Sequence, residues 1–157
     1  MLESCTTAQE RWGGVNQLID RWLSERKQLI GEYVALRDRV PPEETPDQAL
    51  ESFCDVLVDY VSAGHFEIYE QLIREAEDFQ NERGLELVRQ VYPRIETITQ
   101  AAVAFNDRYA NTASGVDEPD MQARLQTLGA MLHERFELED CLIEVLHNSH
   151  RTALAAS

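Results

Sequence analysis

The side chains in this 157-residue sequence that could hold a metal or move a proton are four histidines, three cysteines and 29 carboxylates. A carboxylate-bridged centre in a helical bundle needs two Glu-x-x-His pairs, each with both ligands on one helical face, and a glutamate from each remaining helix. Only Glu144-Val145-Leu146-His147 has that spacing, because His65, His133 and His150 have no acid three positions earlier. Cys5, Cys54 and Cys141 are odd in number and lack CxxC spacing, which speaks against a disulfide framework or a zinc ribbon. The chain has no GxSxG, GxxxxGK[ST] or GxGxxG motif for a nucleophile or a phosphate. No metal, no cofactor and no enzymatic activity are expected.

Binding chemistry is better supported, in the stretch Val56 to Glu70. It has the pattern of an amphipathic helix but carries Gly64 inside it, where glycine costs about 1 kcal/mol relative to alanine. At about 100° per residue, Leu57, Val61, His65 and Ile68 share an inward sector, while Asp59, Ser62 and Phe66 point outward. Asp55 and Glu70 lie in the same outer sector. A lone exposed phenylalanine is common in folded proteins. Flanked by Asp59 and Ser62 at i, i+3, i+7, Phe66 instead has the make-up of an aromatic anchor with polar neighbours. His65 is expected to be a hydrogen-bonded core residue, with Asp20, Glu134 or Glu139 as its partner. Gly64 is expected to permit close packing or a slight bend.

The elements that must position these residues are helical. Val15, Ile19, Trp22, Leu29, Ile30 and Tyr33 mark a first helix from about Thr7 to Arg37, with Leu18 and Leu36 flanking its face. Gly13-Gly14 predicts an early break or fraying, and Pro41-Pro42 follows the helix end. Thr45-Pro46-Asp47-Gln48 reads as an N-cap, a proline at the first helical position and a capping-box glutamine. From there one long helix is expected to Phe79, kinked near Gly64, and two helices with Ser62 capping the second is the competing reading. Asn81 to Gly84 forms the next connection. A third helical segment runs to Tyr109, with Pro93 predicting a kink or a restart. Asp117-Glu118-Pro119-Asp120 opens a fourth, whose face (Met121, Leu125, Leu128, Leu132, Phe136, Ile143, Leu146) continues to about His147. The expected fold is all-α, an antiparallel up-and-down four-helix bundle with long helices. It forms a single domain over residues 1–157, with a frayed tail from about 149.

Charge narrows the partner. With 14 basic against 29 acidic side chains the net charge is −15. Direct nucleic-acid binding and an anionic membrane surface are both disfavoured, and the acidity either steers the protein to basic partners or serves solubility alone. No run approaches about 18 apolar residues, and Met1 to Cys5 does not read as a signal peptide, so a cytoplasmic protein is expected.

Several segments together resemble the Rsd/AlgQ family. These are Glu10-Arg11, Leu18-Ile19-Asp20-Arg21-Trp22-Leu23, Phe53-Cys54, Val58 through Phe66 (VDYVSAGHF), Ile68-Tyr69-Glu70, Arg135-Phe136 and Leu138-Glu139-Asp140. The amino-terminal residues look closest to the pseudomonad AlgQ branch. The resemblance implies an anti-sigma factor that binds region 4 of the primary sigma factor and keeps it from core RNA polymerase and promoter DNA. That would favour alternative sigma factors in stationary phase and, in the AlgQ branch, bear on alginate and siderophore genes. It places sigma contacts on Asp59, Ser62 and Phe66, and further ones on Leu18 and Trp22, although periodicity puts Trp22 nearer the core. A monomer is expected. The alternatives are an acidic helical adaptor for another basic or regulatory protein, and a metal- or ligand-binding bundle.

Overall fold

The computed structural model describes residues 2–38, 46–110 and 117–148, with side chains described over 17–38, 48–64, 67–110 and 117–146. Among them the structure is all-helical. α1 spans Leu2–Asp38, α2 Pro46–Ala63, α3 Glu70–Asp78, α4 Glu82–Tyr109 and α5 Glu118–Leu142. A six-residue π turn, Gly64–Tyr69, joins α2 to α3, and a second, Ile143–Asn148, extends α5.

Side-chain pairs give the directions. Trp22 stacks on Tyr60 and Tyr33 meets Phe53, so α1 and α2 run antiparallel. Ion pairs of Arg94 with Glu134 and of Arg108 with Asp120 set α4 antiparallel to α5. Arg26 pairs with Asp140, and the Tyr33 hydroxyl donates to the Leu125 carbonyl, which closes α5 antiparallel against α1. The result is a four-helix bundle whose second helix is α2, the π turn and α3 in series.

One hydrophobic cluster fills it, from Ile19, Trp22, Leu29 and Leu36 on α1 to Met121, Leu125, Leu128, Leu132 and Leu142 on α5. Cys54 is buried within it, and burial pushes its thiol up to about 12, as fits a packing residue rather than a nucleophile. Gly129 lets Tyr33 cross α5, since an added Cβ would stand 2.0 Å from the Tyr33 hydroxyl.

Several expectations need correction. α1 runs unbroken through Gly13-Gly14. Ile30, read as part of the apolar face, is 44 % exposed. Pro93 neither ends nor restarts α4. It is exposed, so the hydrogen bond it removes leaves a carbonyl in reach of water rather than in the core. The connection before α4 is shorter than expected. Gln80 takes a left-handed backbone (φ 55°) and the Asn81 side chain caps the helix by accepting from the Gly84 N–H at 2.9 Å, so Glu82 to Gly84 already form the first turn. The Thr45 cap and the tail from residue 149 lie outside the described residues.

Candidate protein-binding site

Ser62 caps no new helix. Ala63 and Glu70, on either side of the π turn, keep right-handed helical dihedrals, so the chain passes from α2 to α3 without a break. A widened turn begins at Gly64 itself, one of the irregularities at which helices bend. π turns are rare and recur at functional sites. Gly64 is buried against Trp22, and an added Cβ would lie 2.9 Å from the indole Cζ2. The close approach expected of this glycine is thus seen, and its contact is named.

Trp22 is 1 % exposed. Its ring lies 5.1 Å from that of Tyr60 and 8° from parallel, and meets Tyr69 edge-on at 5.8 Å. The indole N–H donates to the Tyr60 backbone carbonyl at 3.2 Å. In a regular α-helix that carbonyl serves the N–H of Gly64, four residues on. Trp22 therefore packs beneath the start of the π turn and offers almost no surface to a partner.

The outward side is different. Asp59 is exposed and Ser62 half-buried, with Leu18 half-buried on the facing part of α1. Glu67, on the π turn, is exposed. Glu25 of α1 joins this group. Its carboxyl is raised above the usual range by partial burial first, then by the charges of Asp59 and Glu67, with Arg21 opposing. Its Oε2 is shielded from solvent and has no hydrogen-bond partner among the described residues. Three carboxylates thus stand near one another, and their summed negative charge favours a cation. The side chains of His65 and Phe66 lie outside the described residues, so the inward reading of one and the outward reading of the other stand as expectations.

Beneath this face is a polar cluster that sequence reasoning missed. Arg135 and Glu139 of α5 are both 0 % exposed. Glu139 accepts from the Tyr60 hydroxyl at 2.6 Å and, through its other oxygen, from the Tyr69 hydroxyl. Arg26 donates to Tyr60 Oη at 2.9 Å, to Asp140 at 2.6 Å and to Glu139 at 3.4 Å. The Arg135 guanidinium pairs with Glu139 at 3.5 Å and lies over both tyrosine rings, 5.7 and 5.8 Å from their centroids. Among the described residues none of its nitrogens has a hydrogen-bond partner.

Burial, and then the adjacent Glu139 carboxylate, push both phenols up, so Tyr60 and Tyr69 keep their protons and donate them. Burial raises Glu139 as well, opposed by Arg135, the two tyrosines and Arg26. Asp20, read as an interior polar residue, is exposed, since it falls on the solvent side of α1 between the buried Ile19 and Trp22. Of the other partners considered for His65, Glu134 is bound to Arg94, and Glu139 is engaged by the tyrosines and arginines.

A signal for the cluster was present. On α5 the buried positions are 121, 125, 128, 132, 135, 139 and 142, an alternating four-and-three stripe. Arg135 and Glu139 occupy two positions of a seam that is otherwise apolar.

Among the described residues no group of three potential ligands could hold a metal ion, and no helix is long and apolar enough to cross a membrane. Of the Glu144–His147 pair, the His147 side chain lies outside the described residues. Residues 1–147 match the family described as "Regulator of RNA polymerase sigma(70) subunit, Rsd/AlgQ". The chain is 39 % identical to a "Regulator of sigma D" of Yersinia enterocolitica serotype O:8, over 98 % of this chain and 94 % of that one. It is 38 % identical to one of Yersinia pseudotuberculosis serotype O:1b, over 99 % and 95 %. One from Enterobacter sp. strain 638 is 40 % identical over 91 % and 88 %. With matches of this length the chain belongs to the Rsd/AlgQ family.

Proposed function

We propose that this protein is an anti-sigma factor. It binds region 4 of the primary sigma factor one-to-one in the cytoplasm, as a monomer, and withholds it from core RNA polymerase and promoter DNA. Core enzyme is thereby left to alternative sigma factors, as in stationary phase. The observation that carries this reading is the family match over residues 1–147. The face described above supplies a physical reason. Asp59, Glu67 and Glu25 present negative charge beside Ser62 and Leu18, and a DNA-binding module must offer a basic surface to phosphate. The protein occupies that basic surface by binding, with no covalent step. Trp22 takes part from below, by packing, rather than by contact.

Titration of purified region 4 with this protein should give stoichiometric binding that weakens as salt rises. Phe66→Ala should weaken it by about 2 kcal/mol or more without altering the circular dichroism spectrum. Unchanged affinity takes Phe66 off the interface, and no binding by the native protein removes the sigma reading.

A pH dependence follows from Glu25. A carboxyl whose proton affinity is raised in the folded protein favours the fold when protonated, and this gain is lost as pH rises through the raised value. Glu25→Gln should therefore raise the melting temperature slightly at pH 7, with the gain vanishing in acid. A basic side chain of the partner reverses the effect by favouring the ionised form, so binding releases a proton. Affinity for region 4 should fall as pH is lowered from 7 toward 5, and the fall should be shallower in Glu25→Gln. Parallel profiles for the two proteins would take Glu25 out of the interface.

A further inference from the structure

The two hydroxyls that meet on Glu139 belong to one continuous helix, at Tyr60 and Tyr69. On a regular α-helix residues nine apart point about 180° from each other, so a single carboxylate could not serve both. Between them lies the π turn Gly64–Tyr69. Its wider coil turns each residue by roughly 15–20° less, which returns Tyr69 to within about 90° of Tyr60. The bridge exists only because the turn is wide. Conversely, it holds the turn wide, since relaxation to α-helical geometry would swing the Tyr69 hydroxyl away from a fully buried carboxylate. Arg26 and Arg135 hold that carboxylate from two further sides.

Asp59 and Ser62 lie just before the π turn, and Phe66 and Glu67 lie within it. Any change in its width rotates the second pair relative to the first. From this geometry we infer that Glu139, on the far helix α5, is a positioning residue for the partner-binding face. By clamping Tyr60 and Tyr69 it fixes the angle between the Asp59–Ser62 and Phe66–Glu67 halves of that face. The inference rests on the sigma-binding reading only for what the face binds.

Two measurements on the full chain test it. In the free protein, amide hydrogen exchange is followed in the native chain, in Tyr69→Phe and in Glu139→Gln. In the complex, affinity for purified region 4 is measured for the native chain, Tyr69→Phe, Asp59→Ala and the double variant. Tyr69→Phe keeps the ring and loses only the hydroxyl. It should speed exchange at Gly64 to Tyr69 about tenfold more than in α4. It should also weaken region 4 binding about five- to tenfold, with a smaller loss in the Asp59→Ala background.

Exchange that quickens evenly through the bundle overturns the proposal, as does unchanged or strictly additive binding. If Glu139→Gln fails to fold, Tyr69→Phe decides alone. If the native protein does not bind region 4, the sigma reading falls and the exchange result by itself decides whether Glu139 holds the turn.

Discussion

Replacing Glu139 with leucine should lower the free energy of unfolding by about 3–5 kcal/mol, a large share of what a domain of this size possesses. The reason is what the substitution leaves behind. Arg135 is fully buried and Glu139 is its sole counter-charge among the described residues. Without that carboxylate a guanidinium is held out of water against the two tyrosine rings, which cannot replace a lost hydration shell. The Tyr60 and Tyr69 hydroxyls also lose their acceptor. Urea denaturation at an unchanged m-value is the measurement.

The double variant Glu139→Leu with Arg135→Met should recover part of the loss, because the unpaired charge disappears with its partner. Recovery should be incomplete, since two buried phenols still lack an acceptor. A single-variant cost below about 1 kcal/mol would mean that water reaches Arg135, and the account of a dry ion pair would fail.

This cluster also marks where the sequence could and could not be read. The helix faces were legible because burial imposes a period, and Leu50, Cys54, Leu57, Val61, Ile68, Leu72 and Ala76 are buried as their spacing requires. The same logic, applied as a search for apolar residues, passed over Arg135 and reached Glu139 only as a candidate partner for His65. A charged residue is assigned to solvent unless its partners are known, and these partners sit on other helices. Tyr60 and Tyr69 were passed over for a related reason. At 100° per residue Tyr69 falls off the inward stripe, and only the wider π turn brings it in. Gly64 was a visible warning of that irregularity, but propensity cannot separate a kink, a break and a widened turn. The second π turn, at Ile143–Asn148, has no glycine or proline to announce it. At Gly13-Gly14 and Pro93 local signals suggested a break or a restart, and the helices run through both positions. The outer face fared better, because Asp59 and Ser62 needed only the phase of α2.

Trp22 is where family resemblance and periodicity point to different roles, one as a partner contact and the other as core, and its 1 % exposure favours the second. Trp22→Ala should cost about 3–5 kcal/mol of stability, the range for deleting a large aromatic from a packed interior. A stability loss alone does not show what the indole supports, but its neighbour Gly64 does. In the native background Gly64→Ala should destabilise by about 1–3 kcal/mol, because the new methyl stands 2.9 Å from an indole held by stacking on Tyr60 and by its hydrogen bond to the Tyr60 carbonyl. Once Trp22 is alanine, that space is empty. The same Gly64→Ala change then gains the helix propensity of alanine, about 1 kcal/mol, and fills part of the cavity. Its effect should reverse sign between the two backgrounds. A double-mutant cycle by denaturation reads this directly, before any partner is added. Equal costs in both backgrounds would show that Trp22 and Gly64 do not pack as described, and would return Trp22 to the outer face. The predicted reversal would place it under the π turn, with its influence on partner binding passing through Gly64 and Tyr60.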